Sequence, residues 1–178
     1  SFVGGLPDVN LPGILEVLVN AAVSVPVVWN SNMSATPEAQ TLMEGVADAY
    51  VADLKYGNET CAVKGSAVKG SLAVARRNLE AAWPQAYLIV RHLVLPGHVD
   101  CCALPTLDWL ATTLPGVRVN LMDQYSPTPE VAGTAWSRLP TVSELDRARS
   151  HATGRNLDLV GPGQIPPPAR GPSAGEGA

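Results

Sequence analysis

The chain has 178 residues, 46% of them apolar and 16% charged, enough for one domain with a substantial core and unlike a disordered sequence. A formal net charge of −4 gives no electrostatic reason to expect nucleic acid or an anionic membrane as partner. No apolar run reaches the roughly 20 residues of a bilayer span, and no secretory leader pattern is visible. Three cysteines, two of them adjacent, make no disulfide framework and fit a reducing, cytoplasmic setting.

Short β-rich runs alternate with helical segments. Phe2-Val3 enters Gly4-Gly5 as a first strand and tight turn. Leu11, Ile14, Leu15, Leu18 and Val19 then carry helical spacing over 11–23. Pro26 to Trp29 predicts a second strand ending in Asn30-Ser31-Asn32. Thr36-Pro37 reads as an N-cap followed by proline at the first position of a helix to about Glu44. Val46 to Leu54 predicts the third strand. Lys69 to Trp83 predicts a helix with Leu72, Val74, Ala75 and Leu79 inward. Ala86 to Val90 is the fourth strand, its apolar character extending through Leu95. Pro105 to Leu114 is a helix stopped by Pro115-Gly116, and 117–122 is the fifth strand. A last helix is expected over 143–153.

Near-continuous apolar strands, each followed by a helix, predict an α/β fold with a parallel sheet buried on both faces. The domain is expected over residues 1–158. Residues 159–178 are expected to be a disordered tail, since Gly, Pro, Ala and Ser dominate from Gly161 onward.

The strand ends are polar: Asn30 and Asn32, then Asp53 and Lys55, then Arg91 and His92, then Asn120, Asp123 and Gln124. Asp53 and Lys55 are two residues apart and so share one side of a strand. Parallel α/β folds bind ligands at the carboxyl ends of their strands, so these tips predict a pocket. The plainer alternative is that strand-to-loop transitions are polar in general. His98, Asp100, Cys101 and Cys102 offer metal-ligand chemistry, but adjacent cysteines point apart on most backbones and no second pair stands at ligand spacing. They read as loop thiols, Cys61 as an incidental free thiol, and His92 as a hydrogen-bonding strand-end residue.

Phe2-Val3-Gly4-Gly5, Val28 to Met33, Asp53-Leu54-Lys55-Tyr56-Gly57, Arg91 to His98 and Val119 to Tyr125 occur in an order and spacing that resembles radical S-adenosylmethionine (SAM) proteins of the pyruvate formate-lyase activating enzyme type. The resemblance covers about residues 1–126, and more weakly runs to 158. It implies a partial TIM-like (β/α) barrel of about five βα units, holding SAM and a [4Fe-4S] cluster that splits SAM to a 5′-deoxyadenosyl radical. It also implies a protein substrate of the glycyl-radical type. Carried over, Gly4 and Gly5 would pair their backbone with the methionine part of SAM. Asp53, Lys55 and Arg91 would lie near its carboxylate, while Asn30 and Asn32 line the pocket.

Two departures stand out. The family's C-x3-C-x2-C cluster spacing is absent, so no metal ligand is assigned, and Leu6 stands where the family has a SAM-binding glutamate. The expectation is therefore a truncated barrel lacking its first unit and not competent alone, with Phe2-Val3 as an exposed edge prone to self-association. The alternative is a non-catalytic α/β module that binds a small molecule or a partner protein.

Overall fold

The structure is a computed structural model, described here for residues 7–21 and 25–161. A 3-10 turn, Pro7–Asn10, leads into α1, Leu11–Asn20. Then follow β1, Val28–Ser31; α2, Pro37–Leu42; β2, Ala49–Asp53; α3, Glu59–Ser66; α4, Ser71–Ala82; and β3, Tyr87–Leu93. A π-helical turn, Val99–Ala103, runs into α5, Leu104–Thr113. After β4, Arg118–Met122, and two 3-10 turns come α6, Val142–Gly154, and β5, Asp158–Leu159.

All five strands are parallel and stand side by side in chain order, β1-β2-β3-β4-β5. Because the order never reverses, successive right-handed crossovers deposit their helices on the same side of the sheet. That is the arrangement of part of a (β/α) barrel, as the family resemblance implies.

The expectation of a sheet buried on both faces is corrected by this topology. Trp29, Tyr50, Ala52, Leu88, Val90, His92 and Val119 point to the helices and are buried, packed with Leu79, Leu107 and Leu110. The opposite face carries Asn30, Val51, Asp53, Arg91, Leu93, Arg118, Asn120 and Met122, all half-buried; Ala49 and Ile89 alone are buried there. The strands read as continuously apolar because the inner face keeps enough aliphatic residues to hide the alternation.

Local chemistry sets the element ends. Thr36 caps α2 by accepting from Ala39 N at 3.3 Å, as its Thr-Pro pair predicts. Asn58 does the same for α3, accepting from Cys61 N at 2.9 Å. Thr141 and Glu144 form a reciprocal capping box on α6. Asn78, buried in α4, donates to Met33 O and Ala35 O, both at 2.8 Å, and so ties the β1–α2 connection to the helix layer.

Apart from the short 3-10 turns, three elements were not expected: α3, the π-helical turn and β5. The last strand runs across position 158/159, where the tail is expected to start, and Val160 N still donates to Val119 O at 3.0 Å. The predicted first strand at Phe2-Val3, its edge, Gly4 and Gly5 lie outside the described residues, as does the tail from residue 162.

Candidate functional site

The mouth of the inner face is built by register. Asp53 stands directly beside Arg91, and Arg91 beside Asn120; Asn30 neighbours them on β1 with its side chain on the same face. Arg91 Nε donates to Asp53 Oδ1 at 2.6 Å, and its terminal nitrogen donates to Asn30 Oδ1 at 2.8 Å. One guanidinium thus links the tips of three adjacent strands. The Arg91 and Asp53 side chains are 28% and 17% exposed, so the pair is neither a buried ion pair nor a free surface one. Lys55 Nζ lies 3.6 Å from Asp53 Oδ2 with 44% of its side chain exposed, a looser and more solvated pairing than that of Arg91.

Two cavities meet at Asp53 and Lys55. One, about 370 Å³, lies over the inner face and is lined by Asp53, Lys55, Arg91, Leu93, Gln124 and Tyr125 among others. The other, about 270 Å³, opens toward α3 and α4 between Asn32, Ser34, Tyr56, Ser66 and Leu72. Asn32 also closes an Asx turn, accepting from Ser34 N at 3.1 Å.

Of the residues expected to bind SAM, the structure joins Asn30, Asp53, Lys55 and Arg91 in one polar network and sets Asn32 on the adjoining cavity. Other strand-end residues have different duties. Asn120 donates to Val160 O at 2.8 Å and holds β5; Asp123 pairs with Arg149 at 3.3 Å. His92 is fully buried among the helices: its Nδ1–H donates to Leu54 O at 2.7 Å, its Nε2 has no partner, and burial pulls its pKa down to about 4. A group held so far from water and from the mouth is a packing residue.

The loop thiols are not scattered. Cys61, on the first turn of α3 after β2, meets His98, Cys101 and Cys102 in the turn after β3, and the four potential ligand atoms lie within 4.8 Å of one another. His98, Cys101 and Cys102 stand at i, i+3 and i+4, which share one face of a helical turn. Cys102 N and Ala103 N both donate to His98 O, at 2.8 and 3.3 Å, so the turn is wide and both adjacent thiols reach the same spot. Spacing along the chain could have shown the His-x-x-Cys-Cys face; the long-range partner, Cys61, could not be found without the fold. Burial raises the thiol pKa of Cys101 and, more strongly, of Cys102, whereas burial and then the Lys64 charge lower that of His98.

No family model matches the chain. An uncharacterized protein of Methanocaldococcus jannaschii is 37% identical over 166 residues, 90% of this chain and 47% of the relative. The chain thus spans about half the length of the curated relative it matches. Among solved structures, a domain of pyruvate-formate lyase-activating enzyme from Bacteroides vulgatus superposes with a TM-score of 0.72 at 14% identity, over 91% of this chain and 97% of that one. At that identity the likeness shows the fold: five parallel strands alternating with helices, as in a domain of an activating enzyme. Among the described residues no helix is long and apolar enough to cross a membrane.

Proposed function

We propose that this chain supplies the SAM-binding wall of a radical SAM protein of the activating-enzyme type, holding the charged methionine end of SAM at the tips of β1, β2 and β3. One observation carries the reading: Arg91 joins Asn30 and Asp53 at the carboxyl ends of three neighbouring parallel strands, beside a cavity of about 370 Å³ that Lys55 also lines. The amino-acid part of SAM carries one carboxylate and one ammonium. Lys55 and Arg91 suit the first, Asp53 the second, and Asn30 and Asn32 can accept or donate at the rim. The fold likeness supports a barrel wall of this type, and the resemblance in sequence adds the SAM placement and a glycine-bearing protein as the radical's target.

In such a protein a [4Fe-4S] cluster would supply the electron for SAM cleavage. The thiols of this chain do not fit it. Sγ of Cys61 and Cys101 lie 3.7 Å apart and those of Cys101 and Cys102 4.0 Å apart, whereas thiolates on three corners of a cubane stand about 6 Å apart. What these residues contribute is the binding and orientation of SAM.

Titration calorimetry of SAM into the full chain tests it, beside the Asp53→Ala plus Lys55→Ala double variant with its melting curve recorded. Saturable one-to-one binding is expected, weakened more than about tenfold, or ~1.4 kcal/mol, in a folded double variant. No heat from the wild type, or equal affinity in the two, would leave a non-catalytic α/β binding module as the better account.

A further inference from the structure

We propose that Cys61, His98, Cys101 and Cys102 form a Cys3His site for one tetrahedral ion of the zinc class, a site distinct from the strand-tip network and independent of the SAM reading. The spacing of the ligand atoms carries it. Cys61 Sγ is 3.7 Å from Cys101 Sγ and 3.5 Å from His98 Nδ1; Cys101 Sγ is 3.2 Å and Cys102 Sγ 3.9 Å from the same nitrogen, and Cys101 and Cys102 Sγ are 4.0 Å apart. Bonds of about 2.3 Å to sulfur and 2.0 Å to nitrogen, directed tetrahedrally, set ligand atoms about 3.8 Å (S to S) and 3.5 Å (S to N) apart. The group thus has the dimensions of a mononuclear site in advance of any ion. Three soft thiolates with one imidazole select zinc-like ions over magnesium or calcium.

The surroundings are those of a closed structural site rather than an open catalytic one. Four protein ligands fill a tetrahedron and leave no position for water or substrate. Asn58 Nδ2 donates to Cys61 Sγ at 3.3 Å and to Cys101 O at 2.7 Å, so one amide orients ligands from both segments. The Trp136 ring packs tilted against His98, with centroids 5.1 Å apart, and Lys64 stands 5.8 Å over the Trp136 ring. Gly57 lets the two backbones touch: a Cβ there would sit 2.6 Å from Cys102 O and 2.7 Å from Cys101 O. Binding would deprotonate the thiols and clamp the β2–α3 connection to the β3–α5 connection.

Cobalt(II) titration of the full chain, stripped of metal and reduced under anaerobic conditions, tests this. The expected result is one equivalent taken up, with thiolate-to-cobalt absorbance near ~350 nm and intense tetrahedral bands at about 600–750 nm, both erased by one equivalent of zinc. Cys61→Ser and His98→Ala, each checked by circular dichroism, should weaken uptake at least about tenfold or alter the tetrahedral bands. Should either variant fold poorly, the wild type decides: zinc at one equivalent above saturation should raise its melting temperature by more than about 5 °C. Three results would overturn the site: no tetrahedral spectrum, bands unchanged in both folded variants, or about four irons per chain with broad absorbance near 400 nm after iron and sulfide reconstitution.

Discussion

Gly57→Ala measures how tightly the two connections are pressed together. A methyl at this position would lie 2.6 Å from Cys102 O, 2.7 Å from Cys101 O and 2.8 Å from Cys102 Cα, all of them backbone atoms that cannot rotate aside. Relief requires the segments to part by close to an ångström, and overpacking of this kind costs about 1–3 kcal/mol. Parting also stretches the Asn58 Nδ2 bond to Cys101 O and the 3.3 Å bond from Arg76 to Gly57 O, adding about 1 kcal/mol. The sum, about 3 kcal/mol, corresponds to a melting temperature lower by roughly 6–12 °C for a domain of this size. Gly13→Ala is the internal comparison. Nothing lies within 4 Å of a Cβ at this exposed position of α1, so alanine there should stabilise by about 0.5–1 kcal/mol through helix propensity and chain entropy. Thermal unfolding of both variants by circular dichroism gives opposite signs if the reasoning is right. A Gly57→Ala melting temperature within about 2 °C of the wild type would refute it.

His92 should set an acid limit on stability. Its folded pKa near 4 is below the ordinary 6.5, so the unfolded chain takes up a proton that the folded chain refuses. Stability is then complete above about pH 6.5 and falls on acidification to about pH 4, by about 3 kcal/mol in all. Urea midpoints at pH 7.5 and 5.0 should differ in the wild type, and the difference should shrink in His92→Asn, which keeps a donor near Nδ1 but does not titrate. Glu144 is bound by Arg138, by its own capping box and by Gly97 N at 2.6 Å, contacts that together hold its carboxyl well below the usual range. The stability it lends is present above its ordinary value near 4.5 and is lost as the pH falls below it. Glu144→Ala should cost about 1–2 kcal/mol at neutral pH, read as a melting temperature roughly 2–8 °C lower.

Much of the scaffold was legible from local pattern. The Thr36-Pro37 start, the stripe of Leu72, Val74, Ala75 and Leu79 (of which Val74 is only half-buried) and the Pro115-Gly116 stop are short-range signals, and each marks an element the structure contains. The polar strand tips were legible as well, because a carboxylate and a cation two residues apart need no tertiary knowledge to share a side. Burial on both faces was not, since an inner face of Val51, Ile89 and Leu93 reads in sequence like a core. α3 was missed although Asn58 is a good cap: Gly57-Asn58-Glu59-Thr60 resembles a turn, and the helix it starts has only Cys61 and Ala62 buried. His98, Cys101 and Cys102 are legible as potential ligands, but sequence does not join Cys61 to them, because that closure spans 37 and 40 positions along the chain. Helical periodicity carries no information at that range. Adjacent cysteines point apart on most backbones, and the π-helical turn is an exception to that rule.

The two groups of polar residues share a mechanical element. Asp53 and Lys55 end β2, and Tyr56 and Gly57 follow directly before Asn58 caps α3. Tyr56 lines the cavity toward α3 and α4 that Asn32, Asp53 and Lys55 also line. Leu54 N donates to Arg91 O at 3.0 Å, so β2 is still tied to β3 where the chain leaves the sheet. An ion on Cys61, His98, Cys101 and Cys102 would fix the same pair of connections a few residues further on. The short stretch bearing Lys55 and Tyr56 would then be held at both ends, and fixing it beforehand lowers the ordering cost of binding any ligand there. A clamp that only stabilises the fold would leave SAM affinity unchanged when zinc is removed, provided the chain stays folded. A clamp that positions the strand tips would lower that affinity on zinc removal and, by reciprocity, let SAM tighten zinc binding by the same factor.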